Sequence, residues 1–380
     1  MERLSSLIHQ ETSWPKENKY FKLSVMNTIK HKIEKIKLAY AMLRYSGSYS
    51  QKIIEAFFDK YIGHHKIVRW YDGFPIYSSF VPPLWSDASA HLMGATFFGI
   101  VADKQIPFQM NIAVTDICNA RCGHCSFYNG IYDEDRTMLN KEEYKWIISE
   151  AQSIGISHIG FVWWEPLMNE DFFEILASVD TKKSITTLFT NGYFLEENIE
   201  RLNQLWLTTI AISLDSPDLH IHEKLRALPG LKERFLRGIE KARKYNFNLV
   251  LSICLFEGNY FHLSRYMELA RELGFHEVLL LPAIPTWRLK NKPLKVSISG
   301  GRALKKMVDK YNQNTNYPPI YHYSWISSSA SLWCQGWKKY IYISPYGDLL
   351  HCDFTSKSYG NLKDDTLSDL LFGSKKLCGF

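Results

Sequence analysis

Three of the chain's seven cysteines, Cys118, Cys122 and Cys125, stand in "TDICNARCGHCSFYNG" (residues 115–130) with the spacing C-x3-C-x2-C. A structural zinc site takes four protein ligands, and disulfides take pairs. A zinc ribbon would need a second ligand pair near this loop, and only His124 is close. Three thiolates from one short loop suit a [4Fe–4S] cube, which they hold by three irons while the fourth stays open. A second constellation lies near the other end: Cys334, Gly347 and Cys352 are spaced C-x12-G-x4-C around "YIYISPYGDLLHC", which alternates and turns as a β-hairpin should. Two thiols at hairpin spacing suit metal better than idle packing. Cys254 sits in an apolar run and reads as a small buried residue.

Chemistry at these positions needs elements to hold it. From residue 108 short apolar runs alternate with helical patterns. "FQMNIAVTDI", "SHIGFVW", "SITTLFT", "LTTIAISL", "FNLVLSICLF" and "HEVLLLPA" read as six strands. Helices are expected near 140–154, 169–178, 195–205, 231–245 and 260–273. Regular β-α alternation predicts a parallel sheet with right-handed crossovers. Six units are too few for a closed eight-stranded barrel, so the expected fold class is α/β, a partial (β/α)6 TIM-like barrel. Its chemistry should collect at the carboxyl ends of the strands. The cysteine triplet directly follows the first of them.

Four regions follow: a mainly helical N-terminal region (1–107), the partial barrel (108–285), a polar connector (286–330) and a small C-terminal hairpin/helix extension (331–380). In the first, Ile29, Ile33, Ile36, Tyr40 and Leu43 form one helical stripe. It is read as packing on its own domain, in preference to resting on a membrane surface. The 380 residues are 46% hydrophobic and 22% charged, which excludes general disorder. A net charge of +6 from scattered lysines, with no sequence-reading motif, argues against a nucleic-acid partner. The first residues lack an apolar signal core, and 92–102 is too short to span a bilayer. With an odd cysteine count, this leads to the expectation of a reducing, cytoplasmic setting.

The triplet and its place after a strand resemble the radical S-adenosylmethionine (SAM) superfamily. The resemblance implies a [4Fe–4S] cluster on Cys118, Cys122 and Cys125, whose open iron chelates SAM. An electron then splits SAM to a 5′-deoxyadenosyl radical, with flavodoxin or ferredoxin as a typical reductant. "FVWWEPLMN" is similar to the family's Gly-Gly-Glu-Pro strand end, with Trp163 and Trp164 in place of both glycines and Glu165 facing the SAM amine; a helix-capping Glu165 is the alternative reading. In "ISLDSPDLHIHEKLR", Ser213 and Asp215 match the ribose-binding strand end and Arg226 the position near the SAM carboxylate. His124, placed near the adenine, and Tyr128 complete the implied cofactor-binding set.

The 331–380 region resembles the opening of a SPASM or twitch extension, which implies a second, auxiliary iron–sulfur cluster on Cys334 and Cys352, with Cys378 as a further candidate ligand. A three-cysteine cluster, a non-cysteine fourth ligand and a hairpin without a cluster all remain open readings. The resemblance implies oxidation or cross-linking at an unactivated C–H position of a peptide or small molecule. The aromatic stretch 67–102 equally admits a lipid-like or isoprenoid substrate, and a non-catalytic iron–sulfur redox sensor is the reading from another class.

Overall fold

The computed structural model describes residues 66–125, 136–283, 291, 296–322, 336, 339–355 and 357–373. Tyr128, Cys334, Cys378 and the stripe from Ile29 to Leu43 lie outside them. The described chain begins with a hairpin, β1 (Arg69–Tyr71) and β2 (Phe74–Ile76), followed by α1 (Asp87–Val101). The hairpin turns on Asp72 and Gly73, both with left-handed backbone (φ 48° and 79°). This is the Asp-Gly signal of a two-residue turn, and it places strands in a region read as mainly helical.

The six expected strands are β3 (Gln109–Ile112), β4 (His158–Phe161), β5 (Ile185–Thr190), β6 (Thr209–Ser213), β7 (Asn248–Leu255) and β8 (Glu277–Pro282). All six are parallel and adjacent in chain order. Between them run α2 (Lys141–Ile154), α3 (Phe172–Ala177), α4 (Leu195–Gln204), α5 (Leu219–Arg226), α6 (Leu231–Ala242) and α7 (Leu263–Leu273). Asn140 starts α2 with a reciprocal capping box through Glu143.

Strand side chains divide by the two-residue period. Ile210 and Ile212 of β6 join the large core beneath the helices. Ala211 instead joins Val250, Leu279 and Tyr321 in a separate interior cluster. Gly160 of β4 makes room for the Asn111 side chain, since a Cβ there would stand 2.7 Å from its Oδ1. The amino ends of the strands are closed by the segment after β2. Phe80 stacks on Tyr321 at 4.8 Å, and the Ser79 amide donates to Glu277 Oε2 at 2.8 Å.

The sheet extends past six strands on both sides. Residues 286–330, read as a connector, contain α8 (Ile298–Gln313) and β9 (Ile320–His322), and β9 pairs in parallel with β8. Two adjacent glycines in α8 and a strand of three residues leave little periodic signal. On the other side the hairpin of β10 (Tyr340–Ile343) and β11 (Asp348–Leu350) turns at Gly347 (φ 91°). β10 pairs in parallel with β3 along all four residues, so the hairpin is a continuation of the main sheet. β12 (Ser358–Asn361) and α9 (Leu367–Phe372) follow. Among the described residues the order is β12-β11-β10-β3-β4-β5-β6-β7-β8-β9, an open sheet consistent with a partial barrel. No helix among them is long and apolar enough to cross a membrane.

Candidate active site

The cysteine loop leaves the carboxyl end of β3 and is pinned from several directions. The Arg121 amide donates to the Arg226 carbonyl at the end of α5 (2.9 Å). The Glu165 amide donates to the Ile117 carbonyl (3.1 Å), tying the loop to the end of β4. Asn191, after β5, donates through Nδ2 to Asn119 Oδ1 (2.7 Å), and Tyr346 in the hairpin turn donates to Asp116 (2.8 Å). Cys118, Cys122 and Cys125 then line a single cavity of about 240 Å³ at the carboxyl ends of the strands. Ser213, Asp215, Arg226 and His124 line it too.

Asp215 is the electrostatic hub. It is 3% exposed and is gripped by Arg226 through Nε (2.7 Å) and Nη2 (3.1 Å). His124 Nε2 lies 3.0 Å from its Oδ1. Burial pushes the Asp215 carboxyl up, but Arg226 and His124 together hold it well below the usual carboxylate range. His222, fully buried, accepts the Asp215 amide on Nδ1 (3.1 Å), and Tyr266 donates to the Asp215 carbonyl (2.7 Å). His124 therefore reaches the site bound to an acid.

Burial pushes the Cys118 thiol up to about 12, against the Ala120 amide that donates to its sulfur at 3.4 Å. Burial likewise lifts Cys122 to about 11, with the Arg226 guanidinium opposing. Iron must displace these protons, so its binding is pH-dependent. The residues fit an iron–sulfur cube: three thiols share one cavity, next to a buried cation suited to a negatively charged cluster. Among the described residues no three His, Cys, Asp or Glu side chains are placed to hold a single metal ion. A cube does not ask for that, because each thiolate takes a different iron.

Glu165 is placed differently from its neighbours. It is 0% exposed and does not line the cavity. Oε1 accepts from Thr190 Oγ1 (2.8 Å) and the Leu167 amide (3.3 Å), and Oε2 accepts the Asn191 amide (2.8 Å). It caps the short 3-10 turn Pro166–Met168 and joins the ends of β4 and β5. Burial raises its carboxyl to about 7, against these donors. Trp163 and Trp164, in the positions of two glycines, both adopt left-handed backbone (φ 65° and 48°). The turn that glycine would make is thus kept, at a cost of roughly 1–2 kcal/mol per residue.

Several lining residues escaped the sequence reading. Gln109 donates to Asn111 Oδ1 (2.7 Å), and Asn111 donates to Asp353 Oδ2 (2.9 Å), forming a buried polar row along β3 into the hairpin. Two amides spaced by two within an apolar strand were its available signal. Tyr340, Phe354, Phe189 and Phe80 also line the cavity, with nothing local to distinguish them from core. Cys352 is buried and accepts from the Tyr340 hydroxyl (3.3 Å) and the Phe354 amide (3.4 Å).

An open parallel barrel with three cysteines after its first core strand defines a class. Residues 112–270 match the family described as the Radical SAM superfamily. The AdoMet-dependent heme synthase of Methanosarcina barkeri is 31% identical over 187 residues, 48% of this chain and 53% of that protein. A GTP 3′,8-cyclase of Vibrio parahaemolyticus serotype O3:K6 is 26% identical over 236 residues, 60% of this chain and 63% of that protein. The match thus spans little more than half of these relatives. Among solved structures, Streptococcus suis SuiB bound to S-adenosylmethionine superposes with a TM-score of 0.61 at 15% identity, over 74% of this chain and 70% of that one. Native anSMEcpe with bound AdoMet gives 0.56 at 20% identity, over 70% and 80%. These two likenesses are likenesses of fold.

Proposed function

We propose that this protein is an enzyme that binds SAM and a [4Fe–4S] cluster in the cavity at the strand ends and oxidises or cross-links an unactivated C–H position of a small molecule or peptide side chain. The observation that carries this reading is the convergence of Cys118, Cys122 and Cys125 with the Asp215–Arg226 pair on one cavity. Bound there, the cluster and SAM would supply a 5′-deoxyadenosyl radical, and the protein's part is position and environment. Cys118, Cys122 and Cys125 would hold the cluster. Arg226 places a fixed positive charge near Cys122, which favours its ionised form. Asp215 and Ser213, at the end of β6, offer acceptors to a ribose. Asp215 in turn orients His124 and Arg226. Glu165 acts one step back: it fixes the ends of β4 and β5, so that backbone and Asn191 face the cofactor. The aromatic lining would offer the bound groups a largely apolar surround.

Cys352 is proposed as one ligand of an auxiliary cluster, with Cys334 as its partner. Support comes from the two donors already aimed at its sulfur, the arrangement that stabilises a metal-bound thiolate.

The test of the main reading is reductive cleavage. Anaerobically reconstituted protein with dithionite should turn SAM into 5′-deoxyadenosine, and the Cys118→Ala/Cys122→Ala/Cys125→Ala variant should not. Product from the triple variant would remove the catalytic assignment, and no product from iron-loaded wild type would remove the enzyme reading.

A further inference from the structure

Two consecutive tryptophans with positive φ are an unusual feature of this chain. Left-handed backbone is easy for glycine and is a genuine outlier for a bulky residue. Strain of this kind persists where surrounding structure or function demands it. Trp163 and Trp164 are partly buried and pack against the cluster of Ala113, Val162, Tyr342 and Leu350. Both are among the residues lining the cavity that the cysteine triplet also lines. Phe354, from the C-terminal hairpin side, meets Trp163 edge to face at 5.4 Å and an interplanar angle of 79°. Phe189, at the end of β5, packs in the same cluster. The charged groups of the cavity belong to the cysteine loop, to the ends of β6 and α5, and to Asp353 next to Phe354, while Trp163, Trp164, Phe189 and Phe354 make up much of its aromatic lining.

We propose that Trp163 and Trp164 form a flat wall that binds a planar, conjugated ring of the substrate. The left-handed turn serves this by holding two neighbouring indoles at the strand end, where two glycines would leave open space. Aromatic faces attract other π-systems in offset or edge-on geometry. A saturated ring of the same skeleton buries similar area but has no π-face and no flat profile. The wall therefore sorts substrates by planarity. This deepens the reading above and rests on it for the location of the substrate, but ring binding needs no turnover. A failed binding test leaves SAM cleavage standing, and failed SAM cleavage leaves the binding result intact.

The experiment uses the reconstituted holoprotein with SAM and two probes, 2-naphthol and decahydro-2-naphthol, titrated by calorimetry. Wild type should prefer the flat alcohol by about tenfold, the size of one or two aromatic contacts. Trp163→Gly and Trp164→Gly should each lower that preference severalfold while changing SAM affinity less. Glycine suits the local backbone, so these variants are expected to fold, with circular dichroism as the check. Trp164→Phe keeps a flat ring and should keep most of the preference. Equal affinity of wild type for the two alcohols would overturn the proposal, and that comparison needs no variant. Glycine variants that keep the wild-type preference would overturn it as well. So would variants that lose SAM affinity with the preference intact, because the indoles would then belong to the cofactor.

Discussion

At the scale of single residues, Asp215 and Glu165 show how neighbouring carboxylates take different states. Asp215 has a buried cation against it and stays ionised; Glu165 has only neutral donors and is lifted to about 7 by burial. Asp215→Asn should cost about 3–5 kcal/mol of stability in the iron-free protein, because it leaves Arg226 nearly buried without its acid. Denaturant titration measures this, and a loss below about 1 kcal/mol would mean that solvent or thiolates already neutralise the guanidinium. Glu165→Gln turns an amide toward the Asn191 N–H that the carboxylate accepts, which should cost about 1–3 kcal/mol of stability. Loss of SAM affinity at unchanged stability would instead indicate direct contact with the cofactor.

At the scale of elements, β8 begins with a carboxyl that the barrel closes over. Glu277 is 0% exposed beneath the Ser79 amide, and burial raises it from 4.5 to about 7. A raised carboxyl favours the folded state while protonated, so its contribution is complete below about pH 4.5 and is lost as pH rises through about 7. Glu277→Gln should match wild type near pH 5 and exceed it by about 3 kcal/mol at pH 8, read by urea denaturation at both values. A constant difference across that range would show that Glu277 titrates normally. The hairpin makes a separate prediction. Protein lacking the three loop cysteines should still take up iron and sulfide, and Cys352→Ala should remove them. Well-folded protein without residual iron after reconstitution would leave the hairpin with a structural role alone.

At the scale of the whole molecule, the C-terminal segment is part of the sheet. β10 covers the edge of β3 along four residue pairs, and Tyr346 and Asn111 tie the two to the cysteine loop and to Asp353. Deleting residues 339–380 would leave β3 as an unpaired edge strand whose backbone is open to pairing with other molecules. The truncated protein should therefore aggregate, as seen by size-exclusion chromatography. A soluble, monomeric, iron-binding truncation would show that the barrel is complete without the hairpin.

What was readable in the sequence is what local chemistry and short periods encode. The cysteine triplet, six strands with the helices between them, and the Pro-Tyr-Gly-Asp turn of the β10–β11 hairpin each carry their signal within a few residues. Ser213, Asp215 and Arg226 are named in the sequence through the resemblance of their segment to a family pattern, and all three line the cavity. The rest depends on contacts between distant segments. That β10 pairs with β3, that Phe80 enters from the amino end, and that Asn111 meets Asp353 are matters of sheet order, which a linear pattern does not contain. For Glu165 the sequence leaves two readings, facing the SAM amine or capping the next helix, and the cap on the Pro166–Met168 turn is present. The Glu165 side chain was settled by Thr190 and Asn191, which only the packing of β4 against β5 brings within hydrogen-bonding distance. The tryptophan pair divides the same way. That two indoles replace two glycines is plain from the residues in order. That the backbone is left-handed at both and that both residues line the cavity follows from the strand ends and hairpin packed around them.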